Sequence, residues 1–429
     1  MSDRLRSAAL RASLVLILAP PGLIAQAPIA AGSGALTLTE ALARAARVSP
    51  ALSAAREEAA ATAARERQAA AFANPSISFQ REQTSATGQR NSQNILTLDQ
   101  PLEPGLRDAR RDAAAHRREA ADARRRDVGA QLALDVTRAF AHVIAADRRA
   151  ELASRAAEAF DRARRVSDER LAAGDISGYA NRRLRLEAAR YGALRAEASL
   201  ARRSSRLALL ALIASREAQG DVEALRIDTS YAAFAPIGAA DSLVVLALER
   251  RGDLAAARLD ARAALADAAL ASRERIPTPV LTAGIKTERI EGVGDLSGIA
   301  AGVILPLPLW DRRRGSVDAA EATSRRRDAE AELLGRRVEF EVRDAAAAAQ
   351  AVDEQVAALA PSLGDEATQA LRSAETAYAE GEIALIEWLD AVRAYQEAEA
   401  AFAALRAESL IRRAALDRAV GLPLRSSSK

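Results

Sequence analysis

The chain has no cysteine, two histidines, one methionine and 3% aromatic residues among its 429 positions. Without cysteine there is no disulfide framework, no thiolate metal site, no cysteine nucleophile and no lipidated N-terminal cysteine. The histidines, His116 and His142, stand far apart in one helical stretch, with no HExxH or His-x-His spacing around them. Histidine metal centres and the zinc hydrolases therefore fall away. Charge of one sign is lacking too: 61 basic and 58 acidic residues are interspersed, for a net charge of +3. No basic face for nucleic acid emerges. Past the N-terminus, no apolar run reaches the ~20 residues that a membrane-crossing helix needs. Gly292-Val293-Gly294 marks a loop between strands and not a phosphate cradle, because no helix follows it directly. The sequence offers no catalytic residue, no metal ligand set and no cofactor site.

What is present is Ala- and Arg-rich helical material, 49% hydrophobic and 28% charged. Its first residues read as an address. Arg4, Arg6 and Arg11 precede or enter the apolar stretch Ala12 to Ala19, Pro20-Pro21-Gly22 breaks it, and small residues follow. Residues 1–30 are expected to be a secretory signal peptide, cleaved between about Ala25 and Ala31.

The remainder says the same thing twice, about 205 residues apart. Pro75-Ser76-Ile77-Ser78-Phe79 is echoed by Pro279-Val280-Leu281-Thr282-Ala283, and Gln100-Pro101-Leu102 by Leu305-Pro306-Leu307. Leu171-Ala172-Ala173-Gly174-Asp175-Ile176 is echoed by Tyr378-Ala379-Glu380-Gly381-Glu382-Ile383. A period this long marks a duplicated half-molecule and not a solenoid. The expected organisation is repeat 1 over 36–220, a linker over 221–240, repeat 2 over 241–424 and a polar tail over 425–429. Each repeat reads helix, strand hairpin, very long helix, glycine turn, helix.

The long helices carry coiled-coil spacing with small side chains, Leu132, Val136, Ala139 and Val143 in one, Val338, Val342, Ala345 and Ala349 in the other. Gly105 to Ala173 is about 100 Å of helix at ~1.5 Å per residue. Gly174 to Ala214 and Asp241 to Glu274, end to end, match that length. Asp311 to Glu380 is the second long helix, matched by Gly381 to Gly421 with Thr39 to Phe72. Pro361 predicts a kink or break in it.

Strand patterns occupy Ser76 to Glu82, Asn94 to Asp99, Val280 to Glu288 and Gly298 to Leu305. One chain cannot close a barrel with four strands, and an open sheet edge cannot face lipid. Three chains supply twelve, an even-numbered outer-membrane type of barrel, with Phe79 and Trp310 as interface aromatics.

These features together resemble the TolC-type outer-membrane factor family, the exit ducts of tripartite efflux pumps and type I secretion systems. The most specific segment is Tyr378-Ala379-Glu380-Gly381-Glu382-Ile383-Ala384-Leu385-Ile386-Glu387-Trp388-Leu389-Asp390-Ala391. It is similar to the family's second periplasmic tip, with a finer likeness to the heavy-metal efflux branch. The resemblance implies a mainly α fold with membrane β: a homotrimer with a twelve-stranded barrel in outer-membrane lipid and an α-helical tunnel across the periplasm. It also implies a non-enzymatic duct, docked to a periplasmic adaptor and, through it, to an inner-membrane transporter.

By the same resemblance, Glu387 and Asp390 match an acidic constriction at the closed tunnel entrance, and Tyr378 matches a latch residue. The first tip departs from the pattern, with Ala180 and Arg183 at the equivalent places, so Arg183 is the candidate partner of Asp390. Leu171, Gly174 and Ile176 at one turn, and Gly381, Ile383 and Leu385 at the other, are the expected adaptor-docking residues, since apolar residues on an exposed turn call for a cover. Two other readings stay open at this point: a soluble periplasmic coiled-coil adaptor or scaffold, and a duct for type I protein secretion.

Overall fold

The computed structural model describes residues 34–86, 89–214, 222–229, 235–361, 363, 367–380 and 382–422. The signal peptide and the polar tail expected from the sequence lie outside these residues, as does Gly381. Among the described residues the chain runs α1 (Leu38–Val48), α2 (Pro50–Ala69), β1 (Ser76–Ala86), β2 (Gln89–Pro101), α3 (Leu106–Ala173) and α4 (Gly178–Ile213). It then repeats as α5 (Ala240–Arg250), α6 (Gly252–Arg273), β3 (Val280–Ile290), β4 (Gly294–Ile304), α7 (Arg314–Pro361), α8 (Ala367–Glu380) and α9 (Leu385–Val420).

The helix breaks have local causes. Thr37 opens α1 with a capping box: its hydroxyl accepts from the Glu40 N–H at 3.2 Å, and the Glu40 carboxylate accepts from the Thr37 N–H at 3.3 Å. The expected single helix from Thr39 to Phe72 is two, because Ser49 ends α1 in an extended conformation and caps α2, whose first residue is Pro50. Arg251 breaks α5 from α6 in the same extended conformation, but without a side-chain cap. The second long helix stops at Pro361, and α8 starts at Ala367.

The helices form a layer in which α3 packs against α2 and α6 near the sheet and against α4 and α9 toward the turns. One expectation is corrected here. Helix lengths pair residues 39–72 with the second long helix, but within the chain α2 lies along α3, and it is α6 that bridges α3 and α7. The α3–α6 contact is fixed by Arg117 with Asp267 and Arg124 with Asp260, pairs that step seven residues along both antiparallel helices. It is also close. A Cβ on Gly252 would lie 2.8 Å from the Ala123 carbonyl oxygen.

Two equivalent apolar clusters sit midway along the molecule, one from each repeat. Val136, Phe140, Val143 and Leu209 anchor the first; Val338, Val342, Leu254 and Val420 anchor the second. Val136, Val143, Val338 and Val342 are positions that the coiled-coil spacing marks; Phe140, Leu209, Leu254 and Val420 join them from outside that spacing.

The strands pair antiparallel in the order β1-β2-β3-β4, so β1 and β4 are edges without a partner among the described residues. They outrun the expected strands at the ends near the hairpin turns, because Gln83 to Ser85 and Gln89 to Gln93 are polar and read as loop. Register places Ile77, Leu98, Ala283 and Ala301 in one row across the sheet, and Phe79, Leu96, Ile285 and Ile299 in the next, on the same face. The opposite face carries Ser78, Thr97, Thr282 and Asp99, joined by a hydrogen bond between the Ser78 and Thr97 hydroxyls and one from Thr282 to Asp99. An apolar face backed by a polar one is the pattern of a strand between lipid and a lumen.

Candidate gate and docking tips

Both long hairpins share one closing backbone hydrogen bond. At the first tip Gly174 sits at φ 83°, its N–H donates to the Leu171 carbonyl, and the Asp175 N–H donates to the Arg170 carbonyl at 2.9 Å. This is a Schellman closure, which needs a left-handed residue that glycine adopts without strain. At the second tip the Glu382 N–H donates to the Ala377 carbonyl at 2.8 Å, the same bond one repeat later. The helices restart differently: the Ser177 hydroxyl caps α4, whereas Ala384 at the start of α9 has no side chain to cap with.

Side chains at the first tip knit α3 to α4. The Asn181 amide donates to Ser167 at 3.2 Å and to Asp168 at 2.7 Å, and the Arg185 guanidinium donates to the same Asp168 oxygen at 2.8 Å. These two donors, the amide first, hold the Asp168 carboxyl below its ordinary range.

A little above the turns the two hairpins meet through aromatic rings. Tyr191 of α4 stacks on Phe160 of α3 with centroids 4.2 Å apart, Phe160 tilts against Trp388 of α9 at 5.3 Å, and Trp388 stacks on Tyr378 of α8 at 5.2 Å. One continuous stack thus joins four helices. Phe160, Tyr191 and Trp388 are buried, together with Leu184, Leu389 and Val392. Higher up, Arg148 of α3 pairs with the buried Glu399 of α9 at 2.6 Å.

Burial of Trp388, Leu389 and Val392 turns Glu387 and Asp390 to the outside of α9, where both are exposed. Asp390 lies 3.8 Å from Arg393, which reaches Glu187 of α4 at 3.5 Å. Within the chain Asp390 therefore faces Arg393, not Arg183, which is exposed on α4. Burial pushes the Tyr191 phenol up, with the Arg393 guanidinium opposing it. One buried oxygen of Glu187 and the buried Nε of Arg393 have no hydrogen-bond partner among the described residues. The acidic stripe continues along α9, since Glu397 and Glu408 follow Asp390 on the same face, where they line a groove of about 670 Å³ over α3 with Arg149, Arg190 and Glu197.

Of the expected docking residues, Leu171 and Gly174 are exposed, Ile176 is half-buried, and Ile383 and Leu385 are half-buried against the aromatic cluster. Tyr179 and Ile386 are more exposed than any of the apolar side chains singled out beforehand at the described turn positions. Sequence reasoning missed the aromatic stack and Arg393. The signal for Trp388 was present, as one of two tryptophans, next to Glu387.

The model of the family "Outer membrane efflux protein" matches residues 243–422, the second repeat. The cobalt-zinc-cadmium resistance protein CzcC of Cupriavidus metallidurans is 31% identical over 296 residues, 67% of this chain and 66% of that protein, just short of two thirds of its length. The outer membrane protein VceC of Vibrio cholerae superposes with a TM-score of 0.72 at 19% identity, covering 90% of this chain and 97% of VceC. The CmeC outer membrane channel of Campylobacter jejuni does so with 0.74 at 17% identity, covering 91% and 87%. At those identities the likeness is one of fold, and it takes in both repeats. The second repeat is thus an outer membrane efflux protein domain, and the chain around it has the fold of the outer membrane proteins it superposes on.

Proposed function

We propose that three copies of this chain form a passive exit duct through the outer membrane and across the periplasm. The observation that carries this reading is the four-stranded sheet: its face is apolar, and both β1 and β4 end in unpaired backbone. Lipid cannot satisfy such edges, whereas a ring of three copies pairs each β4 with the next β1 and closes twelve strands. The helical layer supports the same closure. Leu186, Leu200 and Leu207 lie exposed at heptad spacing on α4, and Leu333 with Phe340 on α7, the two borders of the layer. In such a ring α2 of one copy meets α7 of the next, the partnership absent within a single chain. Mass measurement of the detergent-solubilised protein tests this: a trimer is expected, and a stable monomer would defeat it.

The duct has no energy source of its own, so it works with an inner-membrane transporter through a periplasmic adaptor seated on the tips. Exposed Leu171, Tyr179 and Ile386 give the adaptor an apolar footing there. We assign the cargo to divalent metal cations. The relative CzcC is named for cobalt, zinc and cadmium resistance, and carboxylates at the entrance favour cations. Metal tolerance of cells with and without the gene, set beside tolerance to organic solvents and secretion of polypeptides, separates these cargoes.

A further inference from the structure

The apolar face of the sheet stops abruptly. Above the row of Phe79, Leu96, Ile285 and Ile299, toward the hairpin turns, the next row on that face is Arg81, Asn94, Thr287 and Ser297. The row after that is Gln83, Ser92, Arg289 and Asp295, and the last holds Ser85 and Arg90. Toward the helices the apolar surface continues instead, through exposed Val303, Leu305, Leu307, Leu309 and Trp310. The path is strand as far as Ile304 and then turns, where the Leu309 N–H donates to the Leu307 carbonyl; strand and turn together supply the lower part of an apolar band, ~25 Å tall in such barrels. Phe79 and Trp310 fall at its two ends.

The hydrocarbon is thereby placed low on the sheet, and the upper half of the strands stands at headgroup level. What meets the headgroups is basic. Arg81, Arg90 and Arg289 are exposed on this face, against one carboxylate, Asp295, which pairs with Arg289 at 2.6 Å. Arg81 and Arg90 have no carboxylate partner among the described residues. The acidic side chains of these strands point elsewhere: Glu82 and Glu288 lie on the opposite face beside Lys286, and Glu291, in the turn, accepts from the Arg90 backbone N–H.

We infer that Arg81, Arg90 and Arg289 form a collar, repeated three times around the barrel, that binds the phosphate groups of outer-leaflet lipid. Guanidinium groups bind phosphate in bidentate fashion, and a guanidinium on the lipid face is tolerated at the interface and not at mid-bilayer. The collar sets how deep the barrel sits. Its occupant is a lipid phosphate and not a free one, because the arginines rise directly from the apolar rows that acyl chains cover. This rests on the membrane placement proposed above.

The test uses the purified full-length protein in detergent, titrated with phosphatidic acid or with phosphatidylcholine of equal chain length, with bound lipid counted by native mass spectrometry. Wild type should retain phosphatidic acid in preference, and each of Arg81→Gln, Arg90→Gln and Arg289→Gln should weaken retention by about fivefold. Asp295→Asn should strengthen it, and Lys286→Gln, on the opposite face, should leave it unchanged. Equal retention by the triple arginine variant, or displacement of the lipid by inorganic phosphate at equal concentration, would overturn the collar. Trimer mass and conductance in the same samples report on the barrel separately: a detergent-independent monomer would remove the membrane placement itself.

Discussion

The ring of Tyr378 lies flat on the indole of Trp388, centroids 5.2 Å apart and planes 16° from parallel. It is the aromatic contact that holds α8 to α9, and it continues through Phe160 to Tyr191. The resemblance gives Tyr378 a latching hydroxyl; the geometry adds a packing ring. Tyr378→Phe and Tyr378→Ala separate the two. Loss of a latch raises conductance in both, whereas loss of the stack affects the alanine variant alone. Trp388→Ala, which empties the centre of the stack, should cost about 3–5 kcal/mol and lower the thermal midpoint of the trimer. An unchanged midpoint would mean that the tip contributes nothing to cooperative unfolding.

Asp168 gives the first tip a pH dependence. Its carboxyl is held low in the folded state by Asn181 and Arg185, so its contribution is present above the ordinary carboxylate range and is lost as pH falls through that range toward the depressed value. Hydrogen exchange at the Gly174 turn should therefore accelerate on acidification, and Asp168→Asn should show the fast exchange at all pH values. An equally protected turn in the variant at neutral pH would remove the role assigned to this carboxylate.

Gly284 tests the register of the sheet. It lies on the polar face of β3, where a Cβ would run into the Leu96 carbonyl and sit 2.7 Å from the Thr97 Cα. Gly302 on β4 shares that face and has open space beside it. Gly284→Ala should destabilise by about 1–3 kcal/mol through overpacking and reduce the yield of trimer, while Gly302→Ala assembles normally. The comparison is read on a gel of unheated samples. Equal yields would show that β2 and β3 have room to spread.

The sequence made the helices legible because their buried stripes recur at heptad spacing, as at Val136 and Val143 or Val338 and Val342, and because glycine marks both turns. Strand ends were less so. Gln83 to Ser85 is polar on both faces, so periodicity carries no signal where neither face meets hydrocarbon, although backbone pairing continues. The aromatic stack was hidden for another reason: Phe160, Tyr191, Tyr378 and Trp388 come from four helices, and no local pattern says which of them meet. The pairing of α2 with α3 within the chain was missed because helix lengths alone fit either long helix.

The proposed entrance would combine acids that symmetry multiplies with a cation that the chain itself supplies. Glu387 and Asp390 are exposed on α9; in the proposed trimer three of each would come together, and their mutual repulsion would oppose closure. Arg393 lies beside Asp390 and reaches across to Glu187 on the neighbouring hairpin. It offsets part of that repulsion while tying α9 to α4. Arg393→Gln should favour the open entrance and raise conductance in planar bilayers, and adding Asp390→Asn should bring it back toward wild type, because the uncompensated charge is then gone. Glu387→Ala with Asp390→Ala should weaken block of the pore by multivalent cations. If that double variant keeps wild-type block and conductance, both residues are solvated helix charges and the constriction lies elsewhere; if Arg393→Gln conducts as wild type, the closed entrance is held by the aromatic stack and not by charge.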